Sequence, residues 1–348
     1  MPELAVLTLA ELTTLRLGGP VGRLVRADTA PELVAAVRGA DAAGEPVLLV
    51  GGGSNLVVAD EGWPGVTVLI RTEGVDIRRD GDDVLLRVAA GADWDALVAR
   101  AVSEGWAGIE CLSGVPGLTG ATPVQNVGAY GQDVAQTLTD VTVWDREADR
   151  IAVLSTVDCR FGYRTSRFKH SDRYVVLEVV FRLPASSLSR PIAYAELARR
   201  LDVRTGEQAP LADVRDAVLE LRRGKGMVLD LDDHDTWSAG SFFTNPILDG
   251  AELAAFERQL EPGTSYPSWP DAAGTKLSAA WLIERSGFGK GYGDGPARVS
   301  GKHTLALINR GGARTADLVS LARCIRDGAR SQFGVELRPE PKLVNCTL

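Results

Sequence analysis

Residues 113–131 read Ser-Gly-Val-Pro-Gly-Leu-Thr-Gly-Ala-Thr-Pro-Val-Gln-Asn-Val-Gly-Ala-Tyr-Gly and lie within 22 consecutive uncharged residues, 111–132. That length would span a bilayer, but its two prolines and five glycines argue against a lipid-facing helix. So long a loop is also atypical of an ordinary surface connection. Its amides, hydroxyls and carboxamides suit a large heteroaromatic ligand with many hydrogen-bonding edges. The alternative is a buried structural loop.

A second glycine-rich stretch, residues 50–58, reads Val-Gly-Gly-Gly-Ser-Asn-Leu-Val-Val. Its glycines allow positive φ and let backbone N–H groups converge on an anion such as a diphosphate. It is not the dinucleotide-binding fingerprint, because Leu56 occupies the third glycine position and a strand rather than a helix is predicted to follow. A tight β-turn explains the same three glycines.

Composition narrows the possible functions. A chain of 348 residues predicts two to three domains, and its net charge of −8 argues against a general nucleic-acid or anionic-membrane binder. The four cysteines form no C-x-x-C pair, so we expect reduced thiols in a cytoplasmic protein. Residues 1–4 lack the basic start of a signal peptide. No coiled-coil pattern is visible, and we expect a monomer.

Local patterns predict an alternation of helices and strands. Thr29 and Glu32 form a capping box at the first helix, and the last helix is predicted to begin at a Thr315 cap and to stop at Gly334. The predicted helices cover residues 29–42, 93–104, 211–223, 251–260, 277–286 and 315–333. The predicted strands cover residues 46–50, 66–70, 84–88, 141–144, 175–183, 299–308 and 335–344.

Eight segments carry a resemblance, in order and over essentially the whole chain: residues 14–19, 51–56, 113–131, 161–169, 239–246, 276–283, 303–309 and 339–340. The set resembles the UDP-N-acetylenolpyruvoylglucosamine reductase family of bacterial peptidoglycan precursor synthesis. The resemblance implies an α+β chain: a two-lobed FAD-binding fold of the PCMH/vanillyl-alcohol-oxidase type, about residues 16–185, plus a C-terminal α+β substrate-binding domain. The predicted bounds are 1–65 and 66–210 for the FAD-binding subdomains and 211–348 for the substrate domain, whose last residues could return to the FAD lobes.

The resemblance implies FAD as cofactor and NADPH as co-substrate, with no metal. We expect the FAD to be non-covalent, because no histidine precedes His170 and Cys111 is the only cysteine near a flavin loop. The implied cofactor-binding residues are Gly51, Gly52, Gly53, Ser54, Asn55, Leu56, Gly114, Thr119, Gly120, Gln125, Asn126, Gly128, Ala129 and Tyr130.

Three residues match the family's catalytic positions: Arg164, Ser241 and Glu340. The implied reaction delivers hydride to an enolpyruvyl methylene carbon, which leaves negative charge on the α-carbon and carboxylate. Arg164 matches the arginine that polarises the carboxylate, Glu340 the acid paired with it, and Ser241 the proton donor to the α-carbon. Without the resemblance, the three would be interpreted as a surface arginine, a structural serine and an exposed glutamate.

The substrate-binding residues implied for the UDP-sugar are Tyr194, Lys225, Asn245, Lys276 and His303. Tyr194 matches the tyrosine of a loop that closes over the substrate in one branch of the family. Lys225, Asn245 and Lys276 match positions that hold the diphosphate or uridine, although lysines in isolation are usually solvated. His303 departs from the glutamine of some relatives, which leaves its contact with the ligand open.

Two other functions stay open on the sequence. An oxidase of sugars or alcohols on the same FAD fold needs the glycine loops but not the three catalytic matches together. A non-catalytic nucleotide-binding protein would use the loops to hold a ligand that never reacts.

Overall fold

The structure is a computed structural model that describes residues 7–348; residues 1–4, expected to lack a signal peptide, lie outside the described part. The helices are α1 (Ala30–Ala42), α2 (Trp94–Ser103), α3 (Thr156–Cys159), α4 (Ala195–Arg200), α5 (Leu211–Gly224), α6 (Gly250–Glu257), α7 (Ala279–Arg285) and α8 (Thr315–Phe333). The strands are β1 (Val21–Ala27), β2 (Val47–Val50), β3 (Leu56–Val58), β4 (Trp63–Ile70), β5 (Val75–Asp80), β6 (Asp83–Ala89), β7 (Gly128–Ala129), β8 (Gln132–Asp133), β9 (Leu138–Asp145), β10 (Arg150–Ser155), β11 (Tyr174–Pro184), β12 (Ile247–Leu248), β13 (Ser268–Asp271), β14 (Gly274–Leu277), β15 (Ala297–Val299), β16 (Leu307–Asn309) and β17 (Lys342–Val344).

The described residues form two compact units, neither of them continuous along the chain. The central unit contains Gly22–Gly52 and Pro64–Val228. The terminal unit contains the described residues up to Val21, Gly53–Trp63 and Leu229–Leu348. The functional division at residues 65 and 210 stays a prediction.

A small sheet of the central unit has the strand order β1-β4-β2, with β2 parallel to β4. The predicted capping box is present, since the Thr29 side chain accepts a hydrogen bond from the Glu32 N–H and begins α1. Helix α1 buries Leu33 and Val37 in one cluster with Val66 and Val68 of β4. This burial of an apolar helix face stabilises the unit.

The larger sheet of the central unit is antiparallel, in the order β10-β9-β11-β6-β5. Helix α2 covers it with Trp94, whose ring centroid lies 5.7 Å from that of Phe181 in β11. The long uncharged loop, residues 111–132, lies between α2 and β9 along the chain. It is therefore supported by a sheet and a helix that share one buried core.

The terminal unit is organised around α8, whose buried Leu318, Ala322 and Ile325 belong to its core. The C-terminal strand β17 pairs in parallel with β3, Lys342 opposite Leu56. Two small antiparallel groups complete the unit, β12-β14-β13 and β15-β16.

Three local predictions need correction. Residues 299–308 form two strands, β15 and β16, joined by a turn, and only the end of 335–344 is extended as a paired strand. The N-cap of α8 is Arg314, not Thr315. The Thr315 hydroxyl instead donates a hydrogen bond to the Val58 carbonyl oxygen at 2.6 Å, a contact that no local pattern specifies.

Among residues 7–348, no helix has the length and apolar composition needed to cross a membrane.

Candidate functional site: the glycine loops and the predicted catalytic residues

In the central unit the two glycine loops meet. A Cβ atom placed on Gly52 would lie 2.8 Å from the Cα atom of Gly117, which is closer than such atoms approach in proteins. A Cβ on Gly51 would touch Leu118 at 3.4 Å, and the Gly51 carbonyl oxygen accepts a hydrogen bond from Arg71 at 3.0 Å. Glycine at position 52 is thus required for the two loops to pack against each other.

The remainder of the first loop belongs to the terminal unit. Gly53 has φ +65°, and a Cβ there would lie 1.8 Å from the Leu12 carbonyl oxygen. The Asn55 carbonyl oxygen accepts a hydrogen bond from Lys342, and Leu56 begins β3. Ser54 lies between Gly53 and Asn55 and is partly exposed. Packing alone requires Gly53, so it does not by itself indicate a ligand.

Backbone contacts attach the second loop to the sheet. Both the N–H and the hydroxyl of Thr119 donate to the Ala92 carbonyl oxygen, at 2.8 and 3.0 Å. Gly120 donates to the Ala90 carbonyl oxygen, and a Cβ on Gly120 would lie 2.4 Å from the Ala90 Cβ. The Gly114 N–H donates to the Asp95 carboxylate at 2.6 Å. Thr119, Gly120 and Gly114 therefore shape the loop from within.

A buried carboxylate fixes the start of the same loop. Glu110 is fully buried and accepts hydrogen bonds from the Gly108 N–H at 2.5 Å, the Gln132 side chain at 2.7 Å and the Arg190 N–H at 3.1 Å. A buried carboxylate persists only when its oxygens are hydrogen-bonded in this way. Sequence analysis did not identify this residue, because a lone glutamate has no distinctive local signal.

Arg164 lies against the end of the loop. Its Nη2 donates to the Gly128 carbonyl oxygen at 2.8 Å, while Lys169 Nζ donates to the Arg164 carbonyl oxygen at 2.8 Å. The backbone of Arg164 has φ +51°, a left-handed conformation that is uncommon for a residue with a side chain. The Asn126 amide donates to the Gly162 carbonyl oxygen at 3.2 Å and so ties the loop to the Arg164 segment.

A second arginine at the loop escaped sequence analysis. The Nε of Arg222 is buried and has no hydrogen-bond partner in the described part of the chain, although Nη2 donates to the Met227 carbonyl oxygen at 2.8 Å. A Cβ on Gly114 would lie 3.5 Å from that Nε. Burial lowers the pKa of the Arg222 guanidinium to about 10, which still leaves it charged at neutral pH. In the sequence it sits among the charges that end α5 and resembles a solvated residue.

Tyr130, Tyr194 and Lys225 form one cluster in the central unit. The rings of Tyr130 and Tyr194 meet edge to face with centroids 5.5 Å apart. Lys225 Nζ lies 5.6 Å from the Tyr130 ring centroid and 2.6 Å from Glu196 Oε2. The structure thus groups two predicted substrate-binding residues with Tyr130, which was predicted to bind the cofactor.

In the terminal unit the segments of Ser241 and Glu340 pair. The Glu340 N–H donates to the Phe242 carbonyl oxygen at 2.8 Å, and Phe243 bridges Pro339. Phe242 and Phe243 are each 1% exposed and anchor the pairing, while Ser241 and Glu340 stay partly exposed. Two of the three predicted catalytic residues therefore lie on neighbouring backbones.

The terminal unit also holds three predicted substrate-binding residues. Asn245 Oδ1 accepts the Ala279 N–H at 2.9 Å at the start of α7. Lys276 lies opposite Ile247 in the pairing of β12 and β14, so it is near Asn245. His303 lies in the turn between β15 and β16.

The loop fits a cofactor rich in acceptors. An FAD molecule carries phosphate and carbonyl oxygens, which are the partners that the buried Arg222 Nε lacks in the described chain. The remaining predicted contacts, Gln125 and Ala129, lie in the same loop and are partly exposed. The donors of this loop are therefore compatible with a flavin nucleotide.

Comparison with known proteins defines the class. An FAD binding domain matches residues 21–153, and the UDP-N-acetylenolpyruvoylglucosamine reductase C-terminal domain matches residues 232–344. The chain is a flavin-dependent oxidoreductase that uses FAD. The fold class predicted from the sequence, α+β with an FAD-binding fold and a C-terminal domain, is confirmed.

Full-length relatives define the family. The UDP-N-acetylenolpyruvoylglucosamine reductase of Thermobifida fusca (strain YX) is 58% identical over 98% of this chain and 97% of its own length. That of Salinispora arenicola (strain CNS-205) is 57% identical over 98% and 95%. The crystal structure of the reductase from Thermus caldophilus matches the fold with a TM-score of 0.68 at 24% identity, over 98% of this chain and 99% of that one. The chain belongs to the UDP-N-acetylenolpyruvoylglucosamine reductase family, which disfavours the oxidase and the non-catalytic alternatives.

Proposed function

We propose that the protein uses NADPH to reduce UDP-N-acetyl-3-O-(1-carboxyvinyl)-glucosamine to UDP-N-acetylmuramate, in the cytoplasm and as a monomer, for peptidoglycan precursor synthesis. The observation that carries the proposal is the identity of 58% with a UDP-N-acetylenolpyruvoylglucosamine reductase over nearly the full length of both chains. The four free cysteines favour a reducing compartment.

When bound, FAD would supply the hydride-transfer chemistry that links NADPH to the methylene carbon of the enolpyruvyl group. Arg164 and Glu340 would act at the substrate carboxylate, where negative charge develops. A guanidinium offers a planar fork of donors to both carboxylate oxygens, and the bond from Arg164 to Gly128 limits its rotation.

Ser241 would donate the proton that completes the product. Its hydroxyl is a weak acid, so it can protonate only a strongly basic carbon, such as the α-carbon after hydride addition. The pairing of the Phe242 and Glu340 backbones holds the Ser241 segment in place. We propose that Tyr194, Lys225, Asn245, Lys276 and His303 bind the UDP-sugar.

The test separates the two half-reactions. Purified protein should be yellow, and anaerobic NADPH should bleach it. Ser241→Ala should bleach at a rate near that of the wild type and should form product about 10²- to 10⁴-fold more slowly, the usual contribution of a general acid. Ser268→Ala, an exposed position of the same unit, is the matched control and should change neither rate.

Two outcomes would contradict the proposal. A colourless protein that cannot be reconstituted with FAD would exclude any flavin reductase. If Ser241→Ala keeps both half-reactions unchanged, the proton donor is another group.

We also propose that the flavin is held without a covalent bond. Cys111 is 2% exposed, and burial raises the pKa of its thiol, with Glu110 adding to the rise, so little thiolate forms to attack a flavin. Precipitation with acid should release all the flavin into the supernatant. Flavin retained in the pellet would show a covalent link.

A further inference from the structure

Two ion pairs connect the short helix α4 to α5. Glu196 of α4 pairs with Lys225 at the end of α5 at 2.6 Å, and their side chains are 33% and 31% exposed. Arg200 and Glu220 form the second pair, with more exposed side chains. Buried Leu197 and Ala198 also pack α4 against α5, so α4 does not depend on either pair alone.

The Glu196 carboxylate already binds the Lys225 ammonium group, which a diphosphate would need as its own partner. Lys225 presents its charge between the Glu196 carboxylate at 2.6 Å and the Tyr130 ring at 5.6 Å. A phosphate brought to Lys225 must share the ammonium hydrogens with the carboxylate or displace it. Two anions at one ammonium also repel each other.

The same pair is linked to Tyr194. Tyr194 is the N-cap residue of α4, two positions before Glu196, and its ring packs edge-on against Tyr130. Tyr194 is also 44% exposed, so part of its side chain is open to solvent. Glu196, Tyr130 and Tyr194 therefore belong to one group of contacts around Lys225.

We propose that Glu196 is an internal competitor for Lys225, which it neutralises until a diphosphate ligand displaces it. This inference rests on the proposed function, in which Lys225 binds the diphosphate of the UDP-sugar. The consequence is selectivity for ligands that carry a diphosphate. Such a ligand can displace the Glu196 carboxylate from Lys225, whereas a ligand without phosphate gains no binding energy by displacing it. Glu196 is thus a positioning residue for Lys225.

The experiment titrates UDP and uridine into the FAD-loaded enzyme by calorimetry at low salt. Glu196→Gln should tighten UDP binding by about two- to fivefold, the range expected for a partly exposed ion pair, and should leave uridine binding unchanged. The gain should shrink as salt is added. Glu220→Gln removes the second ion pair between α4 and α5, that of Arg200 with Glu220, and is the control that should leave UDP binding unchanged.

Lys225→Met supplies the second half of the test. It should weaken UDP binding, and adding Glu196→Gln to it should give no further change, because the competition needs both partners. If Glu196→Gln does not fold, Glu196→Asp serves instead, since its shorter side chain withdraws the carboxylate from 2.6 Å contact and should give a smaller gain.

The outcomes separate the inference from the proposed function. UDP binding that is unchanged or weaker in Glu196→Gln overturns the inference. So does a Lys225→Met variant that binds UDP like the wild type. In either case, NADPH bleaching and product formation by the wild-type enzyme still decide independently whether the protein is the proposed reductase.

Discussion

Replacing Gly52 by alanine places a methyl carbon 2.8 Å from the Gly117 Cα and 3.4 Å from its carbonyl carbon, at the point where the two glycine loops meet. An ordinary contact with the Gly117 Cα needs roughly 0.6 Å more. Because the atoms that the methyl carbon meets are backbone atoms of Gly117, the loops must separate. Overpacking of this kind costs about 1–3 kcal/mol. In the free protein the loops can move apart, whereas bound FAD would hold them at their native spacing.

The cost should therefore appear in FAD affinity. At 1.4 kcal/mol for each tenfold change, it corresponds to a dissociation constant raised about 5- to 140-fold. The assay strips the flavin, titrates FAD into the apoprotein and follows the quenching of flavin fluorescence. Urea unfolding of the same apoprotein measures how much of the cost remains without FAD.

Gly39→Ala is the matched control. Gly39 is exposed in α1, and a Cβ added there meets no atom within 4 Å. The change should leave FAD affinity unchanged and raise the free energy of unfolding by about 1 kcal/mol, since alanine favours a helix. If Gly52→Ala binds FAD as tightly as the wild type, the meeting of the two loops is not part of the flavin site.

Two further substitutions test the supports of the loop. Glu110→Gln should lower the free energy of unfolding by about 1–3 kcal/mol, because the new amide faces the buried Gly108 N–H and leaves it without an acceptor; an unchanged urea midpoint would contradict this. Burial raises the pKa of Asp95, but the Arg215 guanidinium at 2.7 and 2.9 Å, the Gly114 N–H and the charge of Arg222 together outweigh it and hold that pKa below the ordinary 3.8. A depressed carboxyl pKa stabilises the fold above pH 3.8 and ceases to do so as the pH falls below that value. Asp95→Asn should therefore be less stable than the wild type at neutral pH, with a difference that disappears in unfolding experiments near pH 2; a difference independent of pH would refute the assignment.

Local signals identified the helices well. The capping box of Thr29 and Glu32 begins α1 as predicted, and Gly334, with φ +67°, ends α8. Both features act within a few residues, so the sequence window that contains them contains the whole cause. The predicted strand 299–308 failed because the run is broken by a turn, which apolar composition does not reveal.

The candidate site likewise contains residues that sequence motifs predicted and residues that only the structure revealed. Arg164, Ser241 and Glu340 were predicted through motifs of the family, and the structure pairs the segments of Ser241 and Glu340. Arg222 and Glu196 carried no such signal. The burial of Arg222 Nε and the 2.6 Å ion pair of Glu196 arise only when distant parts of the chain pack together.

The sequence by itself determined where the chain turns tightly, where its main helices lie and, through ordered motifs, which family it belongs to. These depend on short-range sterics and on the order of residues. Only the tertiary structure decided that Gly52 meets Gly117, that the C-terminal strand pairs with β3, and that a carboxylate forms an ion pair with Lys225. Such contacts join residues far apart in the chain, and their energy comes from burial and charge at distances that no local pattern records.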